Sequence, residues 1–403
     1  MYNVKKITED LFWVGSEEHR QPLFENIHPV PKGVSYNSYL LLDEKTVLFD
    51  TVDWSVCRQF IENIKYVLQG RTLDYLVVNH MEPDHCACIQ ELILHYPNLI
   101  IISSLKAFEY MKQFGFSVEG REEIVGDGSK RSFGKHTFQF VGAPMVHWPE
   151  AMVAYDLTEG ILFSADAFGS FGGLNGKIFF DELTNSAEYM GEFRRYYTNI
   201  VGKFGIQVMN LLKKAGTLDI RMICPLHGYV IRSDFDFFIN KYILWSTYQP
   251  EIKGVLVVYS SMYGNTEEAA KLTASKLIDA GVEEVVVYDV SGIHMSYLIA
   301  ESFRYSHVII AAVTYNLDVY PLIQNYLTDM QMLNLQNRTF GIIENGTWAP
   351  IAAKQIRAFI TNGMKNMTVL DEQVTIVSAL NAKNYEEIEC LVARMKEDIL
   401  MSE

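Results

Sequence analysis

The chain lacks any run of about 18 apolar residues, so no transmembrane helix is expected. Its opening residues, MYNVKKITED, hold no apolar segment of the kind a secretory signal needs. Positive charge is short: 34 Lys and Arg against 49 Asp and Glu leave a formal charge of −15. That balance argues against nucleic acid or anionic lipid as a partner, because both need a positive face. Cysteine is sparse, with five residues scattered at Cys57, Cys86, Cys88, Cys224 and Cys390. An odd, scattered set does not make a disulfide framework, so a reducing compartment, the cytoplasm, is expected. Cys86 and Cys88 form a CxC pair where zinc knuckles and redox motifs carry CxxC, and they read as small helix residues. No internal repeat and no low-complexity segment is present.

What is present is ordinary globular composition, 49% hydrophobic and 21% charged, over 403 residues. That length exceeds what one core usually serves, so two domains are expected. The first half opens with short alternating segments: LFWVG, SYNSYLLL and KTVLFDTVD read as strands with turns between them. LDYLVVNH, LIIISS, HTFQFVG, MVAYDL, GILFSAD and RMICPLHG are further strands, with helices expected near 86–96, 105–114, 186–214 and 233–247. Strands with helices on both faces imply an αβ/βα sandwich.

Around 248–254 the pattern changes, and TYQPEIKG reads as a short linker. GVLVVYS, EEVVVYDV, HVIIAAVT, RTFGIIEN and EQVTIVSAL then alternate with helices, the grammar of a doubly wound parallel five-stranded sheet. In the helix after the first of these strands, Ala270, Ala274, Leu277 and Ile278 are spaced to make one buried stripe, and Gly281 supplies the stop.

The densest chemical signal is His80-Met81-Glu82-Pro83-Asp84-His85 at the end of an apolar strand. Burying four such groups unpaired would cost several kcal/mol, so a metal is the simpler reading. His147 in APMVHWPE, Asp166 at the end of ILFSAD and His227 in ICPLHG each follow a strand or tight turn. Together they make four imidazoles and three carboxylates, the inventory for two metals. His95, His136, His294 and His307 read as structural or exposed. Tyr196 and Tyr197, in RRYYTNIVGKFG, read as helix packing or as a border of the site.

In the second half, YSSMYGNTEEAA joins the first strand to its helix. Backbone amides at a helix N-terminus and small hydroxyl side chains cradle phosphate, and Gly lets the backbone approach. The candidates are Ser260, Ser261, Met262, Tyr263, Gly264, Asn265 and Thr266. The loop is neither a Walker loop nor a GxGxxG fingerprint. Two more loops, Thr314-Tyr315-Asn316 and Asn345-Gly346-Thr347-Trp348, follow the third and fourth strands, where open α/β sheets bind ligands. An aromatic ring beside Gly suits stacking on a planar ring, with Trp348 the candidate stacker.

The metal residues resemble the metallo-β-lactamase superfamily, whose HxHxDH motif is followed by His, Asp and His from later strands. Glu82 stands where that motif has its second His, which makes the site harder and favours iron over zinc. His80-x-Glu82-x-Asp84-His85 is the pattern of the flavo-di-iron branch, and YSSMYGNT resembles the flavodoxin phosphate loop. The last loop departs from the SxGWxG common among relatives. By resemblance the chain carries a metallo-β-lactamase-like di-iron domain over 1–250 and a flavodoxin-like FMN domain over 251–403. The resemblance implies that His80, Glu82 and His147 hold one iron and Asp84, His85 and His227 the other, with Asp166 bridging. In some members the residue matching His85 stands off the metal, and some bring a His near the iron from the region of His19 and His28.

The activity implied is reduction of dioxygen to water, of nitric oxide to nitrous oxide, or of both. Two irons and one FMN hold the four electrons that dioxygen takes, and nitric oxide coupling takes two. Nothing in the sequence brings FMN near the iron of its own chain, and the family's answer is a head-to-tail homodimer or a dimer of dimers. No rubredoxin-like CxxC pairs occur, so a separate donor is expected: rubredoxin with its reductase, or a reduced deazaflavin cofactor. Two other readings stay open at this point: a binuclear zinc hydrolase with a fused flavodoxin-like module, and a non-catalytic FMN electron carrier.

Overall fold

The computed structural model describes residues 2–401. The chain divides into two compact units, 1–240 and 241–403, within the helix Phe235–Ser246. Among the described residues no helix is long and apolar enough to cross a membrane.

The first unit is built on two mixed sheets. The seven-stranded sheet runs Lys5–Lys6, Leu11–Trp13, Tyr39–Leu42, Thr46–Phe49, Tyr75–Val77, Ile100–Ser103 and Glu122–Ile124. The five-stranded sheet runs Lys130–Ser132, Thr137–Gly142, Met152–Asp156, Ile161–Phe163 and Met222–Cys224. Phe49 of the first sheet stacks on Phe163 of the second with ring centroids 3.9 Å apart, and Phe138 closes on Phe49 at 4.9 Å. These aromatic residues form the layer between the sheets, where burial of apolar area is the main stabilising term. The helix Cys57–Leu68 buries Phe60, Ile64 and Val67 along one stripe, as an amphipathic helix must.

The helix expected over 186–214 is interrupted. Ser186–Tyr196 passes into a π-helical turn at Tyr197–Val201 and a tight turn at Gly202–Phe204 before Gly205–Ala215 resumes. The widened turn lets the adjacent Tyr196 and Tyr197 both be fully buried.

In the second unit the five long strands are all parallel. Their order is Val285–Asp289, Ile252–Tyr259, Tyr305–Tyr315, Arg338–Asn345 and Met367–Ile376. Val255, Leu256, Val257 and Val258 are all buried in sequence, which a strand achieves only with both faces covered. In the helix Asn265–Asp279 the buried stripe is Thr266, Ala269, Ala270, Thr273, Ala274 and Leu277. Ile278 lies outside it and is 51% exposed, because the hydroxyl residues Thr266 and Thr273 take the inner face instead. Gly281 follows the helix with φ +94, the left-handed geometry that ends it. The segment Thr314-Tyr315-Asn316 is not all loop: Thr314 and Tyr315 end the third strand and pair back with the short strand Asp318–Val319.

Candidate metal centre and flavin-binding loops

His80 stands three residues beyond Tyr75–Val77, and Asp50 fixes the turn that carries it. The Asp50 carboxylate accepts from the backbone N–H groups of Asn79 (2.7 Å) and His80 (3.2 Å) and from Asn79 Nδ2 (2.7 Å). Burial pushes Asp50 up to about 6 against those hydrogen bonds. Glu82 then stands at the N-cap position of the short helix Pro83–Cys86 without a side-chain capping bond, with Pro83 at the first helical position, and this turn aims Asp84 and His85 inward. His147, Asp166 and His227 come from the turns after Thr137–Gly142, Ile161–Phe163 and Met222–Cys224. All three turns sit at the same edge of the five-stranded sheet, because the first two strands flank an antiparallel one and the last two are parallel.

The structure brings all seven residues together in two groups. In the first, His80, Glu82, His147 and Asp166 place their ligand atoms within 4.8 Å of one another. Glu82 Oε2 lies 3.3 Å from His80 Nε2 and 3.0 Å from His147 Nε2. Asp84, His85 and His227 form the second group. Asp84 Oδ2 lies 3.2 Å from each imidazole, and His85 Nε2 is 3.0 Å from His227 Nε2. Asp166 faces both: its Oδ2 is 3.1 Å from His80 and 3.2 Å from His147, and its Oδ1 is 3.2 Å from His85.

Three observations fit this set to a pair of cations. His80 Nδ1 is 2.9 Å from Glu150 and His227 Nδ1 is 2.7 Å from the Ser35 carbonyl. Those acceptors hold the ring proton on Nδ1 and turn the Nε2 lone pair toward the carboxylates. His85 Nδ1 is buried with no hydrogen-bond partner among the described residues, and its Nε2 faces His227 Nε2 at 3.0 Å, where both nitrogens are placed to ligate. Apart from these imidazoles, the buried oxygens of Asp84 and Asp166 have no hydrogen-bond partner among the described residues. Protons and cations are alternative ways to balance such charge. Burial opposes a charged His147, but Asp166 and Glu82 outweigh it and raise the imidazole to about 9. Burial likewise opposes ionised Asp166, yet His80 and His85 hold it well below the usual carboxylate range.

Three further residues reach the site that the sequence reading did not single out. Glu150 accepts from His80 Nδ1–H and from Met81 N–H, each at 2.9 Å. Asp50 shapes the turn as described. Glu25 approaches Glu82, and burial first, then the Glu82 charge, push it up to about 8. The carboxylates in FEN and HWPE, each within three residues of a histidine, were the available signals. His28 is buried, with Nε2 3.7 Å from Glu25, whereas His19 is half exposed and faces Glu17. The Tyr196 ring lies 5.4 Å from the His227 ring, so it borders the site, while Tyr197 is buried in the interior. Among the other histidines, His136 is buried between Asp156 and Asp10, His307 pairs with Asp398, His294 caps a helix and His95 pairs with Glu91.

In the second unit the three loops emerge at the carboxyl ends of adjacent parallel strands. Gly264, at φ +95, opens the helix Asn265–Asp279, and its N–H donates to Ser261 Oγ at 3.0 Å. A Cβ there would meet nothing within 4 Å, so the approach to the backbone is open. Ser260 points inward, its Oγ accepting from Val313 N–H at 3.4 Å. Thr314 Oγ1 accepts from Ile351 N–H (3.1 Å) and Ala352 N–H (3.3 Å), tying the third strand to the start of the helix Ala352–Gly363, which follows the fourth strand. Asn345 donates to the Ser378 carbonyl at 3.1 Å, and Thr347 meets the Ser378 hydroxyl at 3.3 Å. Asn316 takes a left-handed turn at φ +51. Tyr263 is 91% and Trp348 79% exposed, with Met262 and Tyr315 half exposed, which leaves apolar rings free to cover a planar ligand.

A family model described as ODP family beta lactamase matches residues 34–228. The nitric oxide reductase of Moorella thermoacetica is 30% identical over 335 residues, 82% of this chain and 83% of that protein. Rubredoxin oxygen:oxidoreductase from Desulfovibrio gigas is similar in structure, with a TM-score of 0.92, 26% identity and 99% of each chain covered. The flavodiiron protein from Giardia intestinalis gives a TM-score of 0.93 at 25% identity, over 99% of this chain and 98% of its own. The metal-binding geometry, the parallel sheet with its three loops and these likenesses agree, and the chain belongs to the flavo-di-iron protein family.

Proposed function

We propose that this protein is an oxidoreductase that reduces dioxygen to water, nitric oxide to nitrous oxide, or both, at a two-iron centre re-reduced by FMN. The observation that carries the reading is Asp166, whose two oxygens face two separate imidazole–carboxylate groups. In this reading His80, Glu82 and His147 would hold one iron and Asp84, His85 and His227 the other, with Asp166 the ligand the two would share. Three carboxylates suit iron better than zinc, which supports a redox role over hydrolysis. When bound, the irons supply one electron each and the flavin two. The chain's own part is to hold His80 and His227 in one tautomer through Glu150 and the Ser35 carbonyl, and to seat the carboxylates that balance charge.

In this reading the di-iron domain spans 1–250 and the FMN domain 251–403, ten residues beyond the division of the two compact units at 240 and 241. Residues 260–266 cradle the FMN phosphate, while Thr314, Tyr315, Asn316, Asn345, Gly346, Thr347 and Trp348 border its ring. The related D. gigas protein is named for rubredoxin and oxygen, and a rubredoxin-type donor is the partner proposed here. A reduced deazaflavin is the competing donor. The protein is proposed to act in the cytoplasm as a head-to-tail homodimer or dimer of dimers, each FMN serving the partner's irons. Turnover by a strictly monomeric preparation would refute that assembly.

The deciding experiment is metal and flavin analysis, followed by anaerobic reduction and timed exposure to each gas. Two irons, one FMN and rapid consumption of at least one gas are expected. Zinc with no gas consumption, or FMN reduction without it, would overturn the reading.

A further inference from the structure

The fourth strand of the parallel sheet, Arg338–Asn345, turns Phe340, Ile342 and Glu344 to one face, and all three are buried. Glu344 is the residue before the loop at 345–348 begins. Its Oε2 accepts from Ala353 N–H at 2.9 Å, and its Oε1 accepts from Gln373 Nε2 at 3.1 Å and Thr375 Oγ1 at 3.0 Å. Both oxygens act as acceptors, as in an ionised carboxylate, and all three donors are neutral. Among the described residues Glu344 forms no ion pair. A buried charge without a counter-ion is costly, so its place beside a ligand loop calls for a function. Ala353 lies in the first turn of the helix Ala352–Gly363, and Thr314 Oγ1 takes the two N–H groups before it. That helix start carries roughly half a positive charge, which one full carboxylate more than offsets. The edge between the third and fourth strands is therefore left negative.

We propose that Glu344 is a fixed negative charge that lowers the reduction potential of the bound flavin. The inference rests on the reading that the loops at 314–316 and 345–348 border the flavin ring. Full reduction brings two electrons and one proton onto that ring near neutral pH, so the ring gains one negative charge. A buried anion at the root of the loop opposes the gain, and its low-dielectric surroundings screen it little. The neutral, oxidised ring meets no such opposition. The balance therefore shifts toward oxidised flavin: electrons pass on to the irons more readily, and the outside donor has to be a strong reductant. Glu344 thus acts on the flavin through its charge, while its three hydrogen bonds hold that charge in place.

The test uses the full-length holoprotein as wild type, Glu344→Gln and Glu344→Asp. Each is reduced stepwise with dithionite under argon beside a reference dye, and the flavin is read by its own absorbance. Glu344→Gln keeps the shape and an acceptor for Ala353 N–H but removes the charge. At equal dye poise its ratio of reduced to oxidised flavin should be about tenfold above wild type, which is about 30 mV for a two-electron couple. The shift should persist at high salt, because a buried charge is screened little. Glu344→Asp keeps the charge while shortening the reach to its donors, and its ratio should stay near wild type. A glutamine variant equal to wild type, or an aspartate variant equal to the glutamine one, would overturn the proposal and leave Glu344 a strut between strands and helix. If the glutamine variant does not fold, wild type still decides: oxidised FMN should bind more tightly than reduced FMN, and the reverse order overturns the proposal. Wild type that holds no FMN at all would instead sink the flavin reading, and this proposal with it.

Discussion

Replacing Glu150 with alanine tests whether the metal centre depends on a residue that touches no metal in the proposed ligand set. One oxygen of Glu150 answers two donors, His80 Nδ1–H and Met81 N–H, each at 2.9 Å, and the Glu150 and His80 side chains are both fully buried. Alanine leaves both donors unanswered, at about 1–3 kcal/mol each, so unfolding free energy should fall by about 2–6 kcal/mol. The released imidazole also loses its fixed tautomer, which costs about 10–100-fold in metal affinity. By the same conversion that makes one decade about 1.4 kcal/mol, that is about 1.4–2.8 kcal/mol. Glu150→Gln keeps an acceptor oxygen and should stay within about tenfold of wild type. Chelator competition for iron, read alongside denaturant unfolding, separates the two effects. A Glu150→Ala protein that matches wild type in both the competition midpoint and unfolding would refute the reasoning.

Asp166→Ala removes the one carboxylate that, among the described residues, faces both groups, so bound iron and gas reduction should be lost while flavin absorbance per chain is unchanged. Thr266→Ala, in the first turn of the helix Asn265–Asp279, should weaken FMN retention on dilution and leave the iron content as it was. His136 is buried between Asp156 (2.7 Å) and Asp10 (3.0 Å). Burial disfavours its charge, but the two carboxylates outweigh that and raise it from 6.5 to about 9. Its contribution, at most about 3 kcal/mol, is thus complete below pH 6.5 and is lost as the pH rises through 9. His136→Gln should lower stability at pH 6 and flatten the alkaline slope in denaturant melts taken from pH 6 to 10.

The sheet alternation was legible because it depends on neighbours along the chain, whereas the helix expected near 86–96 is Ile89–His95, split by a turn at 87–88 from the short helix Pro83–Cys86. Val255 to Val258 announce a doubly covered strand by being apolar without interruption, and the structure buries all four. Glu82 was legible as a departure inside a six-residue motif. Ile278 was misread because helical spacing allows more than one inner face, and only the packing of Thr266 and Thr273 chose between them. The 186–214 helix was misread for a related reason: a π-helical turn is a response to what the two tyrosines must bury against.

By itself, the amino-acid order determined which side chains were available for metal and flavin, and that they lay at strand ends where turns can aim them. Only the tertiary structure decided that Asp166 faces two groups at once and that Glu150 holds His80. It also decided that Glu25 reaches Glu82. Local propensity acts over a few residues, whereas these contacts join positions 19 to 86 residues apart, and their energies exist only after the sheets have packed.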